Sequence, residues 1–263
     1  MDKTVTNRRT SARDKALNNV VCIDNVRFFW DAAHEFVVHI KNFEVKRGEK
    51  LLLVGPSGSG KSTLLSLLTG IVLPRSGIVS VLNEDLGGLS NRDRDRFRAE
   101  HFGIIFQMFN LLPYGSVVDN VILPLNFAKE RKARVLAGLA RGGTEEDEAR
   151  RLLSRLGLSQ DIQKRKSTAA LSVGQQQRVA AARALIGRPE IIVADEPTSA
   201  LDRNRQSIFL ELLFEEVGAL GSTLIMVSHD ESLGTSFDRV LHLNDVMAAP
   251  AAADIGVREG GQA

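Results

Sequence analysis

Four short apolar runs constrain what this chain can fold into. KLLLVG, GIIFQ, IIVADE and TLIMVSH are nearly unbroken by polar residues, and they stop at a glycine, a glutamine, a pair of acids and a histidine. Runs this short and continuous suit strands covered on both faces, as in a parallel sheet packed between helices, so the chain reads as α/β. Ligands of such sheets gather beyond the carboxyl ends of the strands. Gly55, Gln107, Asp195, Glu196 and His229 are therefore expected at one shared site. With 263 residues, 43% of them hydrophobic and 25% charged, the chain can bury the substantial core such a sheet requires.

Composition excludes several roles. A net charge of +2 provides no bulk field for nucleic acid. The single cysteine, Cys22, cannot form a disulfide within the chain; it fits a reducing cytoplasm and is expected as a small buried hydrophobe. No run of about 18 apolar residues spans a bilayer, and the polar, basic start lacks the apolar middle of a secretory signal. Work at a membrane would go through a partner. Residues 1–19 and 248–263 read as a flexible arm and tail around one domain at 20–247.

The middle of the chain changes character. From about Ser116 to Gly187 it reads mostly helical, as a lobe inserted in the α/β core. Ser116 and Asp119 are spaced as a capping box. Thr144 is an N-cap candidate ahead of an acidic turn and an apolar stripe at Ala149, Leu152, Leu153 and Leu156. The mixed charge run NRDRDRFRAE is expected to be a solvated helix face.

GPSGSGKST, from Gly55, matches the phosphate-loop spacing G-x-x-x-x-G-K-[ST], with a strand before it and a helix, KSTLLSLL, after it. Glycines let backbone N–H groups wrap a phosphate, and the helix dipole adds attraction. Lys61 is expected at the β- and γ-phosphates, the Ser62 hydroxyl at Mg²⁺ and Thr63 at the α-phosphate. The loop residues Gly55, Pro56, Ser57, Gly58, Ser59 and Gly60 would complete the cradle. At the end of IIVADE, Asp195 would sit beside Mg²⁺, and Glu196 would polarise a water attacking the γ-phosphate. A carboxylate is costly at the end of an apolar strand without a partner, and the phosphate loop provides a cation.

A second glycine-containing helix start follows at LSVGQQQRVAAARAL. Ser172 and Gln175 are spaced as N-cap and N3. Val179, Ala182, Leu185 and Ile186 continue a buried stripe, and Gly187 with Pro189 ends the helix. Its exposed N-terminus is suited to an anion.

LSVGQQQR, DEPTSALD and VSHD, in this order behind the phosphate loop, resemble an ATP-binding cassette (ABC) ATPase over roughly residues 21–246. The stretch IIFQMFNLLPYGSVVDNVILPL is most similar to the lipoprotein-releasing, macrolide-export and cell-division branch. The resemblance implies a P-loop NTPase (RecA-like) core with a parallel sheet, an N-terminal antiparallel β subdomain and a helical subdomain inserted at about 108–187. It implies an ATPase with ATP and Mg²⁺ as cofactors, working as a homodimer beneath integral membrane permease subunits. Export or mechanical work across the inner membrane would be powered from its cytoplasmic face.

In such dimers two cassettes pack head to tail, and each covers the γ-phosphate held by the other. The resemblance gives this role in trans to Ser172, Gly174 and Gln175, and coupling across the dimer to SALD, ending at Asp202. Gln107 would reach Mg²⁺ and the attacking water, and His229 would contact the γ-phosphate and orient Glu196. Trp30 resembles the aromatic that stacks on adenine, with Phe28 and Phe29 as competitors. Met108–Tyr114 would line the groove where the permease docks, as an exposed Met-Phe-Leu-Leu cluster.

One position departs from the pattern: Val173 stands where the family carries glycine. Valine suits the site if only its N–H approaches phosphate and is strained if φ must be positive. A soluble ABC protein without a membrane partner is the alternative. The long coiled coil of chromosome-type members and the second cassette of translation-type members do not occur in this sequence. An ordinary phosphoryl-transfer kinase leaves the LSVGQ segment unexplained.

Overall fold

The computed structural model describes residues 18–30 and 38–248. The arm and tail expected at 1–19 and 248–263 lie outside these residues except at their inner ends, where Asn19 opens the first strand and Ala248 closes the last.

Two five-stranded sheets stack. The antiparallel one contains β1 (Asn19–Phe28), β2 (Val38–Lys46), β4 (Ser76–Val81), β5 (Glu84–Asp85) and β10 (Met247–Ala248), in the order β10-β2-β1-β4-β5. The parallel one contains β3 (Lys50–Val54), β6 (Phe102–Ile105), β7 (Ile191–Asp195), β8 (Thr223–Ser228) and β9 (Arg239–His242), in the order β6-β7-β8-β3-β9. The four apolar runs supply four adjacent strands of that sheet, so their carboxyl ends open on one edge.

Side-chain alternation in these strands divides the interior in two. Leu51, Leu53, Ile191, Val193, Ile225 and Val227 face the antiparallel sheet and helix α1 (Lys61–Leu68). Leu52, Val54, Ile192, Ala194, Leu224 and Met226 face the other way, into a core shared with the helical region. Helix α1 ends in a Schellman turn: Gly70 has φ 65°, its N–H donates to Leu67 O, and the Ile71 N–H donates to Ser66 O.

Helices α2 (Asn91–His101), α3 (Val117–Ile122), α4 (Lys129–Gly138), α5 (Glu145–Arg155), α6 (Gln160–Gln163) and α7 (Val173–Leu185) follow, with α8 (Arg203–Leu220) and α9 (Leu243–Val246) later in the chain. Ser116 with Asp119, Thr144 with Asp147 and Ser172 with Gln175 cap α3, α5 and α7 reciprocally. Ala149, Leu152, Leu153 and Leu156 are buried as the stripe required. Helix α7 is more enclosed than a stripe predicts, because Ala180, Ala181 and Ala184 are buried beside Val179, Ala182, Leu185 and Ile186. It crosses β6 so closely that a Cβ on Gly103 would lie 2.1 Å from Ala184 O.

Two expectations are corrected. Cys22 is half-buried, not core, because its position in β1 turns toward the open side, beside Glu44 of β2; burial, then the Glu44 charge, pushes its thiol above the ordinary value. The charged helix α2 is not a solvated face throughout. Arg94 is buried and donates to Gly70 O at 3.0 Å. Glu100 is buried and accepts from the Glu130 N–H at 3.1 Å and the Arg131 N–H at 3.0 Å, so it caps the start of α4 from another helix. The guanidinium of Arg131, 2% exposed, donates to the carbonyls of Ala99, Phe102, Ala184 and Ile186. Burial, then neighbouring Arg134, lowers its pKa to about 10. These two side chains seat α4 on the parallel sheet and α7.

Candidate nucleotide site and the second helix tip

The phosphate loop leaves β3 at Gly55 and enters α1 at Lys61. Its N-cap, Gly60, has φ 96° and provides no side-chain cap, so the first-turn N–H groups of α1 are not claimed by a local side chain. Lys61 is 6% exposed. Its Nζ donates to Gly55 O at 2.7 Å and Pro56 O at 2.9 Å, and it pairs with Glu196 Oε1 at 3.1 Å. The ammonium is thus held over the loop by groups that phosphate oxygens can replace. Ser57, Gly58, Gly60, Lys61, Ser62, Thr63, Gln107, Asp195 and Glu196 line one cavity of about 400 Å³. Pro56 and Ser59 do not line it; Ser59 Oγ donates to Pro56 O at 2.7 Å within the loop.

The two acids at the end of β7 do different things. Asp195 Oδ2 accepts from Ser62 Oγ at 2.9 Å. Burial raises its pKa, opposed in part by that hydrogen bond. Glu196 has φ 42°, a left-handed backbone unusual for a side-chain-bearing residue, and its carboxylate has other partners than that of Asp195. Its Oε2 meets His229 Nδ1 at 2.9 Å while Oε1 meets Lys61. Burial pushes Glu196 upward, but the hydrogen bonds with His229 and Lys61 outweigh it and hold the carboxyl below its ordinary value. Nothing in the sequence signals this backbone turn.

Three oxygen and amide groups, from Ser62, Asp195 and Gln107, face the same cavity. This is a donor set suited to a hard divalent cation that takes its remaining ligands from phosphate and water. Among the described residues no cluster of three His, Cys, Asp or Glu forms a self-sufficient metal cage. The residues therefore fit Mg²⁺ bound together with a nucleotide.

Trp30 lies beside the same loop. Its indole Nε1 donates to Thr63 Oγ1 at 3.4 Å, it is 55% exposed, and its ring meets Phe28 edge-on at 5.1 Å. Phe28 is buried beneath it, and Phe29 stacks under Arg75, so the exposed aromatic face nearest the loop is that of Trp30.

Ser172, Gly174 and Gln175 are not part of this cavity. They form the tip of α7 and line a second one of about 420 Å³ with Gln177, Leu201 and Arg205. The Ser172 N–H donates to Gln175 Oε1 at 3.0 Å, and the Gln175 N–H donates to Ser172 Oγ at 3.4 Å. Val173 is the first helical residue, has no positive φ and is 46% exposed, so valine is unstrained here. Asp202 accepts from the Arg205 N–H at 3.0 Å and caps α8.

The segment after Gln107 is only partly exposed. Met108 and Tyr114 are 81% and 80% exposed, but Phe109 is buried in the core, which corrects the expected exposed Met-Phe-Leu-Leu cluster. Phe109 and Asn110 have φ 58° and 48°, and their carbonyls accept from the Arg183 guanidinium of α7. That arginine, whose role the sequence does not signal, ties the Gln107 segment to the helix of the second tip. Beside it, Phe106, Phe127, Leu123 and Pro124 line an apolar groove of about 480 Å³ with Arg98 at its edge.

Comparison with known proteins adds four findings. Residues 38–199 match the ABC transporter family. The Escherichia coli K12 protein described as uncharacterized ABC transporter ATP-binding protein YbbA is 44% identical over 199 residues, spanning 76% of this chain and 82% of YbbA. The lipoprotein-releasing system ATP-binding protein LolD of Shewanella denitrificans is 39% identical over 220 residues, spanning 83% of this chain and 89% of LolD. The dimeric post-hydrolysis state of the ATP-binding cassette MJ0796, bound to ADP and Pi, matches with a TM-score of 0.71 at 32% identity, covering 84% of this chain and 93% of that one.

Proposed function

This chain belongs to the ABC transporter family as an ATP-binding, ATP-hydrolysing subunit, and from that premise we propose that it works as a homodimer whose two α7 tips each close over the nucleotide held by the other copy. The observation that carries this reading is Gly174. A Cβ there would meet only Leu201 Cδ2, at 3.8 Å, which is ordinary contact, and the residue has no positive φ. Glycine loses more conformational freedom on folding than alanine does, so it carries an entropic cost even in this first helical turn. Nothing among the described residues requires that cost, whereas close approach of a second copy's phosphate does.

The residues then divide the work. Phosphate oxygens take the Lys61 ammonium from Gly55 O, Pro56 O and Glu196. Backbone N–H groups from Ser57 to Thr63 surround the phosphates, and Trp30 stacks on the adenine. Ser62, Asp195 and Gln107 would hold Mg²⁺, which would supply positive charge against that developing on the phosphates. Released from Lys61, the Glu196 carboxylate accepts a proton from the attacking water, and His229 keeps it aimed. Ser172, Gly174 and Gln175 of the second copy cover the γ-phosphate, and Asp202 holds the start of α8 beside them.

Integral membrane subunits would dock on the exposed side of the Gln107 segment, at Met108 and Tyr114 and along the apolar groove at Phe106 and Phe127. Arg183 supports the reading, because it couples this surface to α7. Among the described residues no helix is long and apolar enough to cross a membrane. In this reading the subunit sits on the cytoplasmic face of the inner membrane and powers export or mechanical work through those partners. The test is light scattering of Glu196→Gln with ATP. Accumulation of a dimer that Ser172→Arg abolishes is expected; a strictly monomeric ATP-bound protein overturns the proposal.

A further inference from the structure

Among the described residues, one buried side chain has polar atoms that no other group satisfies. Gln177 is 0% exposed, and neither its Nε2 nor its Oε1 has a hydrogen-bond partner. Buried carboxamides in folded proteins are ordinarily paired, so an exception calls for a reason. Packing provides none: Leu158 and Phe209 on the same cavity wall are apolar, and an apolar chain of similar length would fill the position.

Its location provides one. Gln177 stands just over one turn behind the Ser172–Gln175 tip, and the cavity it lines runs from that tip to Leu201 and Arg205, where the chain passes into α8. We propose that Gln177 is a positioning residue for dimer closure. When a second copy settles on the tip, its carboxamide turns into this cavity and hydrogen-bonds between the α7 tip and the start of α8, fixing their relative position. Unsatisfied in the single chain and satisfied in the closed pair, it favours closure without touching the nucleotide. This inference rests on the proposed sandwich of two copies.

The test places Gln177→Met in the Glu196→Gln background. Methionine keeps the length and helix propensity and removes only the polar atoms. Three quantities are read: the thermal midpoint without nucleotide, ATP affinity at concentrations where the protein is monomeric, and the Kd of ATP-driven dimerisation by light scattering. The midpoint is expected to stay level or rise by up to about 4 °C, ATP affinity to stay within about twofold, and the dimer Kd to rise about tenfold, equivalent to 1.4 kcal/mol. A lowered midpoint would mean that the carboxamide is already satisfied within the chain, and an unchanged dimer Kd that closure does not use it; either overturns the inference. If the parent Glu196→Gln chain itself fails to dimerise with ATP, the sandwich reading falls first and takes the inference with it.

Discussion

The two glycine-containing helix starts solve opposite problems. At α1, Gly60 leaves the helix without a side-chain cap, and Lys61 and the acids of β7 surround the loop from within the same chain. At α7, Ser172 and Gln175 cap each other, and the tip is exposed at Ser172 and Val173, with Arg178 and Arg205 lining the cavity beside it. The first is a complete anion cradle. The second is stable alone yet presents the N–H groups of Val173 and Gly174, which a capping box leaves outside its reciprocal bonds. A third start, that of α4, shows what a permanently occupied one looks like, with the Glu100 carboxylate seated on its first N–H groups. On the proposed reading the same physics serves a ligand, a partner and the fold.

Breaking the own-chain side should have the largest effect. Glu196→Gln is expected to slow ATP hydrolysis by about 10²–10⁴-fold, the usual cost of losing a general base, while leaving ATP binding intact in an equilibrium titration. Lys61→Ala should weaken ATP binding by about 2–5 kcal/mol, the range for truncating a buried charge partner; unchanged affinity would contradict the assignment of the cradle. Breaking the partner side should be silent in the monomer. Ser172→Arg is expected to leave monomer ATP affinity within about twofold yet raise the dimer Kd tenfold or more, because a long cation must then be accommodated at the contact.

The structural helix start sharpens the contrast. Glu100→Gln removes a charged acceptor from two buried N–H groups and should lower folding stability by about 1–3 kcal/mol in a denaturant titration, with little change in ATP affinity. The smallest effect lies at the opposite end of β7 from the site. Burial raises the pKa of Glu190, but the His101 hydrogen bond, a backbone hydrogen bond and the His101 and Arg134 charges prevail and hold it below its ordinary value. A depressed folded value means the stabilisation is complete above the ordinary value and disappears as pH falls through the folded one. Glu190→Gln should therefore cost about 0.2–1 kcal/mol near neutral pH, and the difference from the parent chain should close on acidification.

Much of the fold was readable because it depends on neighbours in the chain. The buried strands and the helix starts at Ser116, Thr144 and Ser172 depend on contacts within about four residues, where residue type and spacing are enough. The gathering of Gln107, Asp195 and Glu196 in the phosphate-loop cavity was also readable, since a strand's carboxyl end has a known place in a parallel sheet. Val173 was ambiguous in the sequence, because φ at a helix start depends on where the helix begins, and the structure begins it at that residue.

What the chain order could not reveal were pairings between distant segments. Whether Glu100 is solvated or buried depends on α4, which begins 29 residues later; Arg131 takes four carbonyls from α2, β6 and the end of α7. Phe109 reads as surface in a run of apolar loop residues, yet its ring is buried in the core and its carbonyl accepts from Arg183, 74 positions on. The left-handed turn at Glu196 and the unpaired carboxamide of Gln177 belong to the same class. Local pattern selects an element and one face of it; which polar group ends up against which is decided only when sheet, lobe and helix tip are packed together, because burial and hydrogen-bond satisfaction are properties of the assembled interior.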